Sequence, residues 1–211
     1  MIKNIKTIFY QSISNNLRMN LRKLFGIKPK EKKPYEFADV LHMWEDDHLM
    51  IELLPKDNLE FIKKEANRID EFGKEHFDGY GFTDITEIGE IPIKTIDKQI
   101  DFHSVSQIFE NSGMEKIKEV VHQNVGHLTG EKVPFGFGSN KFAVLLENEN
   151  GKLKYIWTTG RIENEELERK FKNGLSEFVK TYDFLAIDWY KSESFDLHSE
   201  NGIEEFIKNS C

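Results

Sequence analysis

The chain has 211 residues, a hydrophobic fraction of 38% with 17 phenylalanines, and a formal net charge of −8. That apolar content supports a packed core and argues against a disordered chain, and no apolar run reaches the ~18–20 residues of a spanning helix. The only cysteine is Cys211, which excludes an internal disulfide and a thiolate metal cluster within one chain and fits a reducing, cytoplasmic setting.

The charge is divided unevenly along the chain. Residues 1–33 hold nine Lys or Arg against the single acid Glu31, a net charge of +8. The remainder holds 20 basic and 36 acidic residues, a net charge of −16. A cationic arm therefore precedes an anionic body, and the two parts suit different partners.

Within the arm, Ile2, Ile5, Phe9, Ile13, Leu17, Leu21, Leu24 and Phe25 recur at steps of three and four. This spacing predicts an amphipathic helix over residues 1–26, stopped by Gly26 and Pro29. Arg22 and Lys23 fall in its last turn, where the helix dipole favours cations. Polar residues interrupt every turn, which sets aside a secretory signal, and the Lys/Asn/Ile-rich composition is a poor transit peptide. Two expectations remain. The helix packs on a protein surface, or its Ile5, Phe9, Ile13, Leu17 and Leu21 stripe enters a membrane surface while Arg18, Arg22 and Lys23 meet anionic lipid. Residues 27–34 carry two prolines and five charges and read as a linker, which leaves 35–211 as the domain.

In the body, apolar runs at 37–44 and 48–54 flank Glu45-Asp46-Asp47 and suggest a β-hairpin with an acidic tip. Asp57 and Glu60 have capping-box spacing ahead of a helical stripe, Leu59, Ile62, Ala66, Ile69 and Phe72, so a helix is expected over 58–77. Isoleucines recur from 85 to 96 without a clear period, and Pro92 limits any strand there to an edge. Ser104 with Gln107, and Ser112 with Glu115, suggest short helices near 105–110 and 113–123. Asn150-Gly151 between the runs 141–147 and 152–158 is a strong hairpin signal. Asn164 is placed to cap a helix whose buried stripe is Leu167, Phe171, Leu175, Phe178 and Tyr182. A buried strand over 183–190 and a closing helix over 202–208 complete the order. Strands in antiparallel pairs, mixed with helices, predict an α+β fold around an antiparallel sheet. Its expected core is Leu53, Ile62, Ile69, Val144, Leu146, Ile156, Phe171, Phe178, Leu185 and Ile187.

No spacing in the chain marks a catalytic or metal centre. There is no His-Glu-x-x-His, no Gly-x-Ser-x-Gly and no complete dinucleotide fingerprint, and no cofactor is implied. His122 and His127 lie five apart, and His42 and His48 are expected to face each other across the first hairpin. His76, Asp78 and the apolar-flanked Asp188 are the residues an enzyme reading would use. The loops Asp78-Gly-Tyr-Gly-Phe82 and Phe135-Gly-Phe-Gly138 alternate aromatics with glycine, for which inward-tucked rings at a tight turn are the expected use. A body at −16 repels phosphate, so nucleic acid is not an expected partner.

The function expected from these features is non-enzymatic binding of a basic protein. Bacterial immunity proteins and antitoxins, compact acidic blockers of a cationic enzyme, are of this type, although no motif here belongs to such a family. The contact surface is expected to include Glu45, Asp46, Asp47, Glu163, Glu165 and Glu166, with Trp44 and Trp157 as aromatic anchors. A peripheral membrane protein and an enzyme built around His76, Asp78 and Asp188 are the alternatives.

Overall fold

The computed structural model describes residues 40–122, 125–130, 133 and 135–211. The expected amphipathic helix, its membrane-surface stripe and the linker lie outside the described residues. The described chain is a mixed α+β domain with four helices and two sheets.

Six strands form the larger sheet: β2 (Ile51–Pro55), β5 (Phe135–Gly138), β6 (Phe142–Glu149), β7 (Lys152–Gly160), β8 (Phe184–Asp188) and β9 (Glu193–Phe195). Their order is β5-β6-β7-β2-β8-β9, and every neighbouring pair is antiparallel. A smaller sheet holds β1 (Leu41–Met43), β3 (Glu119–His122) and β4 (Gly126–Thr129). Here β1 runs parallel to β3, and β4 runs antiparallel to it.

Alternation along the strands gives the larger sheet two buried faces. One face presents Leu53, Phe137, Val144, Leu146, Ile156 and Ala186 to α2 (Phe102–Asn111), α3 (Glu165–Thr181) and α4 (Gly202–Ser210). Stacked or edge-on rings knit this layer, with Phe142 against Phe171 at 4.8 Å and Phe178 against Phe184 at 5.1 Å. The other face is shared. Leu54, Leu185, Ile187 and Trp189 pack with Ile62 and Ile69 of α1 (Leu59–Glu75), while Ala143, Leu145 and Trp157 pack under Leu41, Met43 and Val120 of the smaller sheet. All ten residues expected in the core are buried.

The hairpin from β6 to β7 turns on Asn150 and Gly151, both with positive φ, 54° and 79°, the geometry that makes Asn-Gly so frequent in two-residue hairpin turns. Asn164 caps α3 as expected, its side-chain oxygen accepting from the Leu167 N–H at 2.8 Å. Gly160 has φ 83°, and a Cβ there would lie 1.9 Å from the Lys141 carbonyl oxygen.

Several local expectations give way to longer-range pairing. The runs 37–44 and 48–54 do not form a hairpin, because β1 joins β3 while β2 enters the larger sheet between β7 and β8. The acidic residues Glu45–Asp47 form a 3-10 turn between them, and Leu49 reverses the chain at φ 60°. His42 and His48 therefore separate. His42 stacks near Trp44, and His48 bonds Glu147 at 2.7 Å. The helix expected over 113–123 does not form over the described residues 113–122, since Ser112 ends α2 and Gly113 follows at φ 85°, a helix C-terminal signal. Val120 and Val121, both β-branched, instead extend into β3. α2 begins at Phe102 because Asp101, not Ser104, caps it. Asp57 pairs with Lys98 at 2.6 Å and leaves the start of α1 to Asn58.

Replacing Asn164 with Ala removes one cap bond and should lower stability by about 1 kcal/mol. Gly160→Ala forces a Cβ into backbone and should destabilise substantially more. Urea unfolding followed by circular dichroism measures both, and equal losses would contradict the steric account of Gly160.

Candidate functional site

Among the described residues, most large apolar side chains that remain exposed gather at one end of α1. Phe77, Phe82, Ile85 and Tyr190 are all exposed, and all line one groove of about 780 Å3. Its walls are the last turns of α1, the segment from Phe77 to Thr86, and the Trp189–Ser192 turn after β8. Tyr80, at the tip of the same segment, is 97% exposed. Large apolar groups clustered at a surface mark interaction sites more often than isolated ones do.

The segment that carries these rings has almost no ladder of its own. Phe77 and Phe82 share one isolated bridge, and the Thr83 N–H donates to the His76 carbonyl at 2.8 Å. Asp78 closes the turn by accepting the backbone N–H groups of Tyr80 and Gly81, each at 2.9 Å, which holds its carboxyl below the usual aspartate range. This explains why the two aromatic-glycine loops end differently. In Phe135–Gly138 the glycines let β6 approach closely, and a Cβ on Gly136 would meet Leu145 at 2.5 Å. Among the described residues nothing lies within 4 Å of a Cβ on Gly79 or Gly81, and Phe77, Tyr80 and Phe82 around them are exposed, Phe82 with one ring edge against Gly73.

Two polar anchors fix the rest of the segment. Glu65, buried on α1, takes a forked pair of bonds from Arg68, at 3.0 and 2.7 Å, and accepts the Gly89 N–H at 2.6 Å. Arg68 also donates to Thr86 Oγ1 at 2.8 Å and to the Glu87 carbonyl at 2.6 Å. The guanidinium is the main reason that the Glu65 carboxyl titrates below its ordinary value. Farther on, buried Asn58 donates to the Ile93 carbonyl and accepts the Ile93 N–H, at 2.8 and 3.0 Å.

The segment beside the groove is acidic. Between residues 70 and 84, Asp70, Glu71, Glu75, Asp78 and Asp84 stand against Lys74 alone, and all six side chains are exposed; of these acids Asp70 and Asp84 line the groove itself, with Lys74 and Lys191. Lys74 is already paired with Asp70, and Lys191 binds the Asn209 carbonyl beside Asp188. Tyr190 joins the first acidic cluster to this rim, since its hydroxyl donates to Asp47 Oδ1 at 2.8 Å and lies 3.0 Å from the Asp46 carbonyl. Burial and these neighbours push the phenol well above its ordinary pKa.

Of the residues expected at a partner surface, Trp44, Glu45 and Asp46 are exposed, and Asp47 is half-buried beside Tyr190. Trp157 is 1% exposed and belongs to the core under the smaller sheet, so it is not a surface anchor. Glu163, Glu165 and Glu166 are exposed around the start of α3, on the layer opposite α1, and Glu166 pairs with Lys170 at 2.7 Å. The three residues of the enzyme alternative are not gathered. His76 stacks on Phe72 at 4.1 Å and Asp78 closes its turn. Asp188 is buried on the other sheet face, in register with Ile51, and accepts the Lys191 N–H at 3.2 Å.

A second cavity of about 720 Å3 shares Tyr190 and Lys191 with the groove and runs past Asp188, Arg161, Lys172 and α4. Among the described residues, no group of three or more His, Cys, Asp or Glu side chains is placed to hold a metal ion. No helix among them is long and apolar enough to cross a membrane. Cys211 is buried, which raises its thiol well above the ordinary range and disfavours the reactive thiolate.

Arg68→Ala should release the groove wall without opening the core. Amide hydrogen exchange at residues 86–89 should speed up, while that of β6 and β7 stays unchanged. The contribution of Glu65 has a definite pH sense. Its folded-state pKa is lowered, so its stabilisation is present above the ordinary value of 4.5 and is lost as pH falls through the lowered one. Protection of the 86–89 amides, taken relative to their intrinsic exchange at each pH, should therefore fall on acidification in the wild type and change less in the Arg68→Ala variant. Comparison of the chain with protein-family models, with curated proteins and with solved structures finds no match.

Proposed function

We propose that this domain is a non-enzymatic binding module that docks a basic, partly apolar segment of a protein partner in the groove beside α1. The observation that carries this reading is the convergence of Phe77, Phe82, Ile85 and Tyr190 on one groove beside a run of exposed acids. An apolar floor contributes residence time, whereas the rim accelerates encounter with a cationic partner and disfavours anionic ones. Asp84, Glu71 and Glu75 make no ion pair among the described residues, so a partner's Lys or Arg would not displace an existing one. The acidic turn Glu45–Asp47 and exposed Trp44 extend the same surface through Tyr190. Masking a cationic protein is how immunity and antitoxin proteins act, and the site is suited to that role.

The test uses the full chain and a fluorescent synthetic peptide of about 20 residues, with leucine at every third or fourth position and lysine elsewhere. Anisotropy should show binding that weakens with added salt. The double variant Phe77→Ser/Ile85→Ser should weaken it at least tenfold, and Asp84→Lys should mainly slow association. The same peptide with glutamate in place of lysine should not bind. Affinity unchanged in the double variant would remove the groove from the function.

A further inference from the structure

We infer that the groove's resident occupant is the chain's own N-terminal segment, residues 2–25, which a protein partner must displace. This inference rests on the proposed binding role and adds its regulation. Three observations support it.

The first is charge. Residues 2–25 carry five Lys or Arg and no acid, the body from residue 34 carries −16, and residues 70–84 beside the groove hold five acids against one lysine. The two cations that line the groove, Lys74 and Lys191, are already engaged. A cationic segment therefore gains at this rim what an anionic one would lose.

The second is pattern. Helix-in-groove recognition uses apolar anchors at i, i+3, i+4 and i+7 on one face. Ile2, Ile5, Ile8, Phe9, Ile13 and Leu17, at steps of three and four, supply such a face in sequence, with Lys6 and Arg18 flanking it. The groove offers the complementary wall of Phe77, Phe82, Ile85 and Tyr190.

The third is reach. The chain enters the smaller sheet at Leu41, and two residues after that strand ends it reaches the acidic turn Glu45–Asp47, which Tyr190 joins to the groove. Residues 26–39 can extend at ~3.3 Å each, or about 45 Å, comparable with the width of a domain this size. A tethered segment also acts at an effective concentration in the millimolar range, so modest intrinsic affinity suffices to fill the groove. Occupancy in cis then sets the threshold for a partner, because apparent affinity falls in proportion to the fraction of groove left open.

The experiment compares three full-length proteins with the Leu/Lys peptide already described: wild type, Phe9→Asp/Leu17→Asp in the arm, and Phe77→Ser/Ile85→Ser in the groove. Circular dichroism first establishes that all three are folded. The arm variant should bind the peptide about tenfold more tightly than wild type if the arm fills nine-tenths of the grooves, and the groove variant should bind more weakly. In parallel, a carbodiimide should join Lys6 or Lys23 to acids of the rim within one chain, giving a product of monomer mass. The arm variant should lose that product.

Each other result overturns the inference in a recognisable way. If the arm variant binds the peptide as wild type does while the groove variant does not, the groove reading stands and the arm is not its occupant. If no protein binds the peptide, both readings fail. A cross-linked product of dimer mass would make a second copy the occupant. Absence of arm-to-rim links, with wild type sedimenting on phosphatidylglycerol vesicles, would assign the apolar stripe to a membrane surface.

Discussion

The larger sheet depends on where β2 is inserted. On one side β5, β6 and β7 form a meander, and on the other β8 and β9 form a short pair; only β2 hydrogen-bonds to both groups. Its pairing is lopsided, with five registered residues on β8 and two on β7. The partners lie more than a hundred residues away in sequence, so the sheet closes only when distant parts of the chain meet, at a cost in loop entropy that local contacts do not offset. The reward is burial on both faces. Leu53 joins the three-helix layer, and Leu54 joins the α1 layer.

That long-range constraint decides what was legible in the sequence. Local chemistry identified what local chemistry governs: the Asn150-Gly151 turn, the Asn164 cap, α1, and the apolar stripes that became the core. The α+β class followed from them. Pairing between distant strands leaves no comparable mark. The runs around Leu41 and Leu53 look like the two arms of one hairpin, because apolar alternation records that a strand is half-buried and not which strand lies beside it. Trp157 shows the same limit. Next to a hairpin it reads as a surface anchor, but the small sheet laid over it makes it core.

The groove was the least legible feature, for a physical reason. Its rings lie on a segment without periodicity, and the two aromatic-glycine loops are alike in composition. Whether such rings point inward depends on whether another element covers them. β6 covers Phe137; around Gly79 and Gly81 no described residue approaches closely. The available signal was indirect. Glu65, Arg68 and Asn58 are polar residues at or beside buried positions of α1, and their side chains satisfy the backbone of a segment that belongs to no named strand. Polar groups on the inner side of an amphipathic helix thus point to an irregular segment packed against it.

The same anchoring gives the site its stiffness. An exposed aromatic loop that had to order on binding would lose affinity to conformational entropy, about 0.5–1.5 kcal/mol for each mobile side chain immobilised. Here the wall segment is pinned where it leaves the groove, at Thr86 by Arg68 and farther on at Ile93 by Asn58, and the opposite wall is tied to the sheet itself. Trp189 points inward, where its indole N–H donates to buried Glu52 at 2.9 Å, while the next residue, Tyr190, points outward to Asp47. A carboxyl buried in the middle of a sheet is costly unless it is hydrogen-bonded, and this bond fixes the tryptophan that backs the groove. Core and rim are thus joined through two consecutive residues, so the acidic turn and the aromatic wall hold a fixed spacing before any partner arrives. A surface built in that way suits recognition by shape and charge together, and its selectivity is for segments that match both.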